Sequence, residues 1–155
     1  MNFPANFARA SLIELSQEIE GRVDFKDVSF AYPNNPNEPI FSNLSFSASK
    51  GKLLVITGPP GSGKSTVANL IQGLYPPTDG EIWIDNNNLK NLDNLWKEKL
   101  GTVTQDPEFF NTTIANNIAY GSHDATMDRI TRAAKVAGAQ EFIEKLQVTD
   151  KSGKC

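Results

Sequence analysis

The sequence predicts an α/β fold with some antiparallel strand content near its start. Residues 22–32, and again the stretch from Leu44 to Phe46, alternate apolar and polar side chains, as half-buried strands do. Residues 53–57 form a continuous apolar run, typical of a strand that is buried on both faces of a sheet. After that run the apolar residues recur at helical spacing, which predicts a helix beginning near Lys64.

The composition is that of a soluble globular chain. Of 155 residues, 39% are hydrophobic and 21% are charged, and the length is that of one domain. The net charge of −3 provides no general attraction for nucleic acid, so no nucleic-acid partner is expected. Because Cys155 is the only cysteine, no internal disulfide can form. No apolar run approaches the length of about 18 residues that a membrane-spanning helix needs, so the chain itself is expected to carry no transmembrane segment.

The elements before the apolar run are predicted from periodicity and from residues that break regular structure. Residues 12–19 have a helical pattern that Gly21 closes. The strand over residues 22–32 slips once in its alternation, which indicates a β-bulge at Lys26-Asp27. A loop rich in proline and asparagine follows, and Lys50-Gly51 is predicted as the turn into the apolar run.

The elements after Lys64 alternate helices with short strands. We expect the helix from Lys64 to turn Leu74 inward, together with Val67, Leu70 and Ile71, and to end at Tyr75-Pro76-Pro77. A strand over 81–85 and a polar turn at Asn86-Asn87-Asn88 should follow. The remaining predictions are a short helix over 92–100, a strand over 102–105, and helices within 112–118, 127–136 and 140–146.

The stretch GPPGSGKST has the spacing of a phosphate-binding loop between a strand and a helix. The nine residues of this predicted cofactor site are Gly58, Pro59, Pro60, Gly61, Ser62, Gly63, Lys64, Ser65 and Thr66. Glycine lets the backbone curl so that successive N–H groups point at one anion, and the helix that follows adds its positive end. Lys64 can reach the β- and γ-phosphates, and the Ser65 hydroxyl is placed to ligate Mg²⁺.

The loop alone leaves kinases, GTPases, motor ATPases and transporters open, and three other stretches narrow the choice. GRVDFKDVSFAYP (21–33), PPTDGEIWIDNNNL (76–89) and VTQDPEFFNTTIANNIAYG (103–121) resemble the nucleotide-binding domains of ABC transporters, in particular the exporter branch. The resemblance implies a P-loop NTPase core with an antiparallel β subdomain, binding ATP and Mg²⁺. It also implies that Tyr32 stacks on the adenine ring, a role suited to a flat aromatic face at a strand end. By its position alone, Tyr32 would be a strand aromatic that simply packs.

Further roles come from the same resemblance. Gln105 would contact Mg²⁺ or the attacking water and sense the membrane domain, so Lys64 and Gln105 are the candidate catalytic residues and Ser65 and Gln105 the candidate metal ligands. Residues 1–21 resemble the linker from a membrane domain, residues 22–147 the first part of a nucleotide-binding domain, and 148–155 a divergent tail. The implied partners are the transmembrane domain of an exporter and a second nucleotide-binding domain. The implied location is the cytoplasmic face of a membrane.

The resemblance stops near residue 147. The family's LSGGQ signature, and the apolar strand that ends in the acidic pair, are absent from this sequence. We therefore expect this chain alone to bind ATP without turnover, and residues 53–57 to lose their parallel partners and leave apolar surface exposed. The first interpretation is part of an ATPase that drives export. The alternative is a non-catalytic nucleotide-binding or regulatory fragment, and a third, weaker one is a soluble ABC protein without membrane domains.

Overall fold

The computed structural model describes residues 20–92, 94–122 and 124–149. The chain forms two compact units, Met1–Gly101 and Thr102–Cys155. The helix predicted for residues 12–19, and most of the predicted linker and tail, lie outside the described residues. Among the residues that the structure describes, no helix has both the length and the apolar character that a bilayer crossing requires.

The first unit is built on a four-stranded antiparallel sheet. In chain order its strands are β1 (Val23–Phe30), β2 (Phe41–Ala48), β3 (Asp79–Ile84) and β4 (Asn87–Asn88), and in space they follow the order β2-β1-β3-β4. The central strand β1 buries Phe25, Val28 and Phe30, and its period of two is interrupted once, between Phe25 and Val28. All the strand pairs are antiparallel. The predicted antiparallel content is therefore confirmed.

The predicted bulge in β1 is also confirmed. Phe25 lies opposite Phe46 and Val28 opposite Leu44, so Lys26 and Asp27 together face one residue of β2. Asp27 adopts a positive φ of 51° at this point. The extra residue restores the side-chain alternation, so that Phe25 and Val28 both point into the core despite their odd spacing.

Helix α1 (Lys64–Ile71) closes one face of this sheet. Val67 and Leu70 are buried against the sheet, as the helical spacing predicts. Burial of one such side chain contributes about 1.5–3 kcal/mol relative to leaving it exposed. The core cluster consists of Phe25, Val28, Phe30, Val67, Leu70 and Ile82. This packing fixes the position of the helix start, where the phosphate motif lies.

The end of α1 differs from the prediction. Gly73 takes a positive φ of 64°, its amide bonds to the Leu70 carbonyl, and the Leu74 amide bonds to the Asn69 carbonyl. This is a Schellman ending, in which a left-handed glycine satisfies the last carbonyls of the helix. The helix therefore ends before Tyr75-Pro76-Pro77, and Leu74 lies beyond it with 58% of its surface exposed rather than facing inward.

A tight hairpin joins β3 and β4. Ile84 pairs with Asn87, so the turn is Asp85-Asn86, and both turn residues have positive φ. Positive φ at both central positions characterises a type I′ turn, whose twist suits antiparallel strands. The prediction of a turn over Asn86-Asn87-Asn88 was thus displaced, since the last two asparagines belong to β4. The short helix predicted next is a 3₁₀ helix, Asn94–Lys99.

The strands predicted at residues 53–57 and 102–105 do not form. Residues 53–57 and 102–105 have no strand pairing, and Leu53, Val55 and Val103 are 91%, 67% and 98% exposed. A parallel strand needs neighbours on its edges to satisfy its backbone groups, and in the described part of the chain these runs have none. The two predicted strands, and the burial predicted for residues 53–57, were therefore wrong for this chain, while the expected exposure of apolar surface is confirmed.

The second unit contains the three predicted helices, α2 (Ile114–Ala119), α3 (Met127–Val136) and α4 (Gln140–Thr149). Thr113 and Thr126 cap α2 and α3 by accepting hydrogen bonds from the amides of Asn116 and Arg129. Inside α2, Asn117 accepts from the Phe110 amide and donates to the carbonyls of Phe110 and Thr113. These bonds tie the preceding loop to the helix.

Candidate nucleotide site

The loop before α1 has the backbone that its glycines predict. Gly61 and Gly63 have φ values of 79° and 87°, in the left-handed region that side chains disfavour. A Cβ added at Gly63 would approach the Ile40 side chain at 2.6 Å and the Phe41 ring at 3.1 Å. Glycine at this position is thus required both by conformation and by space, because the loop passes close to the start of β2.

The first turn of α1 is left open to a ligand. Gly63 occupies the N-cap position and provides no side-chain hydrogen bond to the helix. The first backbone bond of the helix runs from the Val67 amide to the Gly63 carbonyl, so the amides before Val67 have no partner within the helix. Free N–H groups at the positive end of a helix form an anion-binding site.

Lys64 extends its ammonium group along the loop. Its Nζ donates to the carbonyls of Pro59 and Gly58 at 2.7 and 3.0 Å, and to the Ser62 hydroxyl at 3.3 Å. The loop thus holds a positive charge over its own backbone while Lys64 remains half-buried. An ammonium has three donors and no acceptor, so its bonds to neutral carbonyls can be exchanged for stronger bonds to phosphate oxygens.

The two predicted metal ligands lie in different units. Ser65 is exposed on the first turn of α1, and within the described residues its hydroxyl has no hydrogen-bond partner. Gln105 is exposed in the second unit, in the segment before α2. Among the described residues no cluster of three or more histidine, cysteine or acidic side chains is arranged to hold a metal ion. Of the two predicted metal ligands, only Ser65 belongs to the first unit.

Tyr32 lies just after β1, close to the same helix start. Its hydroxyl lies 3.0 Å from Oγ1 of Thr66, in the first turn of α1. Its ring is half-buried and meets the rings of Phe30 and Tyr75 in T-shaped contacts, with centroid distances of 4.9 and 5.3 Å. The structure therefore brings Tyr32 and the phosphate motif together, and adds Tyr75, which sequence reasoning did not identify.

Within the described residues, a salt bridge between Arg22 and Asp24 lies away from the loop. Arg22 forms a bidentate salt bridge to Asp24, with Nε at 2.7 Å from Oδ2 and an Nη donor at 2.9 Å from Oδ1. The hydrogen bond from Arg22, followed by that from Ser47, lowers the pKa of Asp24 below its ordinary value. The same hydrogen bond raises the pKa of Arg22. This pair lies at the start of the central strand β1 and takes no part in the loop.

The second unit carries an aromatic cleft with a volume of about 490 Å³. Phe110 and Tyr120 lie with ring centroids 4.2 Å apart, and both side chains are more than half exposed. Phe109 is also exposed, at 79% of its surface.

Comparisons with known proteins show which family this chain resembles. The sequence profile of the family described as ABC transporter matches residues 41–154. ABC transporter B family member 13 of Arabidopsis thaliana is 49% identical over 131 residues, which cover 84% of this chain and 10% of the relative. Human antigen peptide transporter 2 is 39% identical over 130 residues, which cover 83% of this chain and 19% of the relative.

A solved structure has a similar fold. A bacterial Atm1-family ABC exporter with ATP bound superimposes with a TM-score of 0.76 and 37% identity. The match covers 81% of this chain and 22% of that protein. The present chain thus corresponds to about a tenth to a fifth of the length of its relatives, in the portion that includes the phosphate motif.

Proposed function

This chain belongs to the ABC transporter family, and we propose that it is the ATP-binding part of an exporter that couples ATP hydrolysis to the export of a substrate. The observation that carries the proposal is the open start of α1, where Gly61 and Gly63 curl the loop and Lys64 holds its charge over it. Free amides and a movable ammonium in one place suit the triphosphate of ATP.

The residues present fit both cofactors that this function needs. The triphosphate would lie along the loop residues 58–66, with Lys64 directed to the β- and γ-phosphates and Tyr32 against the base. Ser65, whose hydroxyl is free among the described residues, would ligate Mg²⁺, and Gln105 is proposed as a further Mg²⁺ ligand on the family resemblance alone. Bound Mg²⁺ supplies charge neutralisation on the phosphates. Lys64 shares the neutralisation of phosphate charge, and Gln105 would contact Mg²⁺ or the attacking water.

The proposed partners follow from the relatives, which include exporters. We propose that a transmembrane domain contacts the second unit near its exposed aromatic cleft, where Phe109, Phe110 and Tyr120 offer apolar surface. A second nucleotide-binding domain would meet the loop side of the first unit, and the assembly would place this chain at the cytoplasmic face of a membrane. On this proposal residues 1–21 are the linker, residues 22–147 the nucleotide-binding part and residues 148–155 a divergent tail.

The given chain alone is proposed to bind ATP without turning it over. Phosphoryl transfer requires a group that orients the water and a group that stabilises charge on the γ-phosphate. Lys64 meets only the second need, since the sequence lacks the acidic strand end that would position the water. The sequence also lacks the signature segment, which in the family closes on nucleotide held by the opposite subunit. The unpaired run at residues 53–57 favours a second candidate, a non-catalytic nucleotide-binding or regulatory fragment.

Calorimetry with MgATP tests the binding proposal. Lys64→Ala should weaken binding at least about tenfold, because charge-assisted contacts to phosphate are lost. Lys52→Ala is the matched control, since Lys52 is exposed in the same unit and its side chain has no partner among the described residues. Absence of MgATP binding by the unaltered chain, or equal affinity in both variants, would overturn the site. Phosphate release well above that of Lys64→Ala would overturn the proposed lack of turnover.

A further inference from the structure

Two hydroxyl groups join the proposed base site to the phosphate loop. Tyr32 follows β1 and Thr66 lies in the first turn of α1, yet the phenol oxygen and Oγ1 are 3.0 Å apart. Thr66 is only 5% exposed, so its side chain is held in place by the residues around it, whereas Tyr32 is half-buried. Either hydroxyl can donate, and in either case the bond ties the tip of the ring to the helix that starts at the loop.

A second contact restrains the same ring from another direction. Tyr75, which follows the Schellman ending of α1, meets the Tyr32 ring at a centroid distance of 5.3 Å and an interplanar angle of 89°. Phe30, at 4.9 Å and 80°, restrains it from the strand side. T-shaped aromatic pairs of this spacing are favourable beyond their buried area. The three contacts together leave the Tyr32 side chain little freedom to rotate.

We propose that Thr66 and Tyr75 are positioning residues. They hold the Tyr32 ring at a fixed position relative to the phosphate loop, so that the base and the triphosphate of one nucleotide can be bound together. The inference rests on the proposed function, since it assumes that Tyr32 receives the base. Neither residue needs to touch the base for this role. An unrestrained tyrosine would lose side-chain entropy each time a base stacked on it, whereas here folding has already fixed the ring.

The hydrogen bond between Tyr32 and Thr66 can be removed by changing either residue while the aromatic ring at position 32 is kept. Tyr32→Phe deletes the phenol oxygen and Thr66→Val deletes Oγ1 while keeping the shape of the side chain. Each change should raise the ratio of the ATP dissociation constant to that of inorganic triphosphate about two- to tenfold, the worth of one neutral hydrogen bond. Because inorganic triphosphate has no base, the ratio cancels any direct effect of Thr66 on the phosphates.

The double variant separates positioning from a general loss of structure. If the two residues act through one bond, Tyr32→Phe combined with Thr66→Val should change the ratio no more than either change alone. Thr66→Ser, which keeps the hydroxyl that Thr66→Val removes, should have the same ratio as the unaltered chain. Tyr75→Leu should raise the ratio as well, whereas Tyr75→Phe, which keeps the ring, should leave it unchanged.

Calorimetry on the full chain, with ATP and with inorganic triphosphate, tests the positioning role of Thr66 and Tyr75. Folding of each variant is checked by the fluorescence of Trp83 and Trp96, both of which lie in the first unit. If Thr66→Val does not fold, Tyr32→Phe tests the same bond alone. An unchanged ratio in Tyr32→Phe and Tyr75→Leu would overturn the positioning role while leaving ATP binding intact. Failure of the unaltered chain to bind ATP would instead overturn the proposed function.

Discussion

Arg22 and Asp85 are joined by hydrogen bonds in both directions. The Arg22 amide donates to Oδ1 of Asp85 at 2.7 Å, and the Asp85 amide donates to the Arg22 carbonyl at 3.0 Å. Oδ2 of Asp85 accepts from the amides of Glu20 and Gly21 at 2.7 and 3.0 Å. One carboxylate at the β3–β4 turn thus binds three successive amides, and so anchors the chain segment that leads into the central strand.

Asp85→Asn should therefore destabilise the first unit by about 1–2 kcal/mol, because charged acceptors of backbone N–H groups are lost. Asparagine tolerates the positive φ at this position, so backbone strain does not contribute. Urea denaturation followed by tryptophan fluorescence measures the loss. Asp27→Asn is the matched control, since Asp27 also has positive φ but accepts one hydrogen bond, from Ser45. Equal losses in the two variants would contradict the anchoring role.

Gly80→Ala should lower stability by more than Gly51→Ala. Both glycines have positive φ, which costs an alanine about 1–2 kcal/mol. A Cβ at Gly80 would in addition press on the backbone carbonyls of Asp27 and Lys26 at the bulge, whereas one at Gly51 would meet nothing within 4 Å. The comparison of urea midpoints for the two variants isolates the steric part. A Gly80→Ala protein no less stable than Gly51→Ala would show that the bulge can move aside.

Lowering the pH should weaken the contribution of the Arg22–Asp24 pair to the stability of the folded state. The hydrogen bond from Arg22 lowers the pKa of Asp24 in the folded state, so the unfolded chain binds this proton more readily than the folded one does. The stabilisation is full above the ordinary carboxyl pKa of about 4 and is lost as pH falls through the lowered value.

Asp24→Asn provides the measurement for that pH dependence. The variant should be less stable than the unaltered chain near neutral pH, and the difference should narrow below about pH 4. Urea titrations at several pH values, again with tryptophan fluorescence, give both curves. A difference that stays constant across this range would mean that the charge of Asp24 does not contribute to stability.

The exposed apolar run should make the chain bind hydrophobic dyes and self-associate. Replacing Leu53 and Val55 by lysine should reduce both effects, because these side chains are 91% and 67% exposed. Stability of the first unit should change by less than about 0.5 kcal/mol, as is usual for exposed positions. Val67→Lys, in the buried core, serves as the contrasting variant and should unfold the unit. Unchanged dye binding in the double variant would assign the apolar surface to another region.

Local sequence patterns were enough to predict much of the secondary structure. Alternation predicted β1 and its bulge, because the side-chain period of a strand is strict and a slip must appear as an extra residue. The turn at Asp85-Asn86 was misplaced by one residue, because several asparagines in a row leave the register open. The end of α1 was assigned to the prolines, although Gly73 had already ended the helix by taking a left-handed conformation.

The sequence by itself determined the family, strand β1 with its bulge, the helices of the second unit and the phosphate motif, because each is specified by short-range spacing or by residues close together in the chain. Only the tertiary structure decided that residues 53–57 stay unpaired, since a parallel strand depends on neighbours that are distant in sequence. It also decided that Tyr32 reaches Thr66 across 34 residues and that Asp85 anchors the amides of Glu20 to Arg22. Contacts of this kind arise only when packing of α1 against the sheet and pairing of β1 with β3 bring remote side chains together.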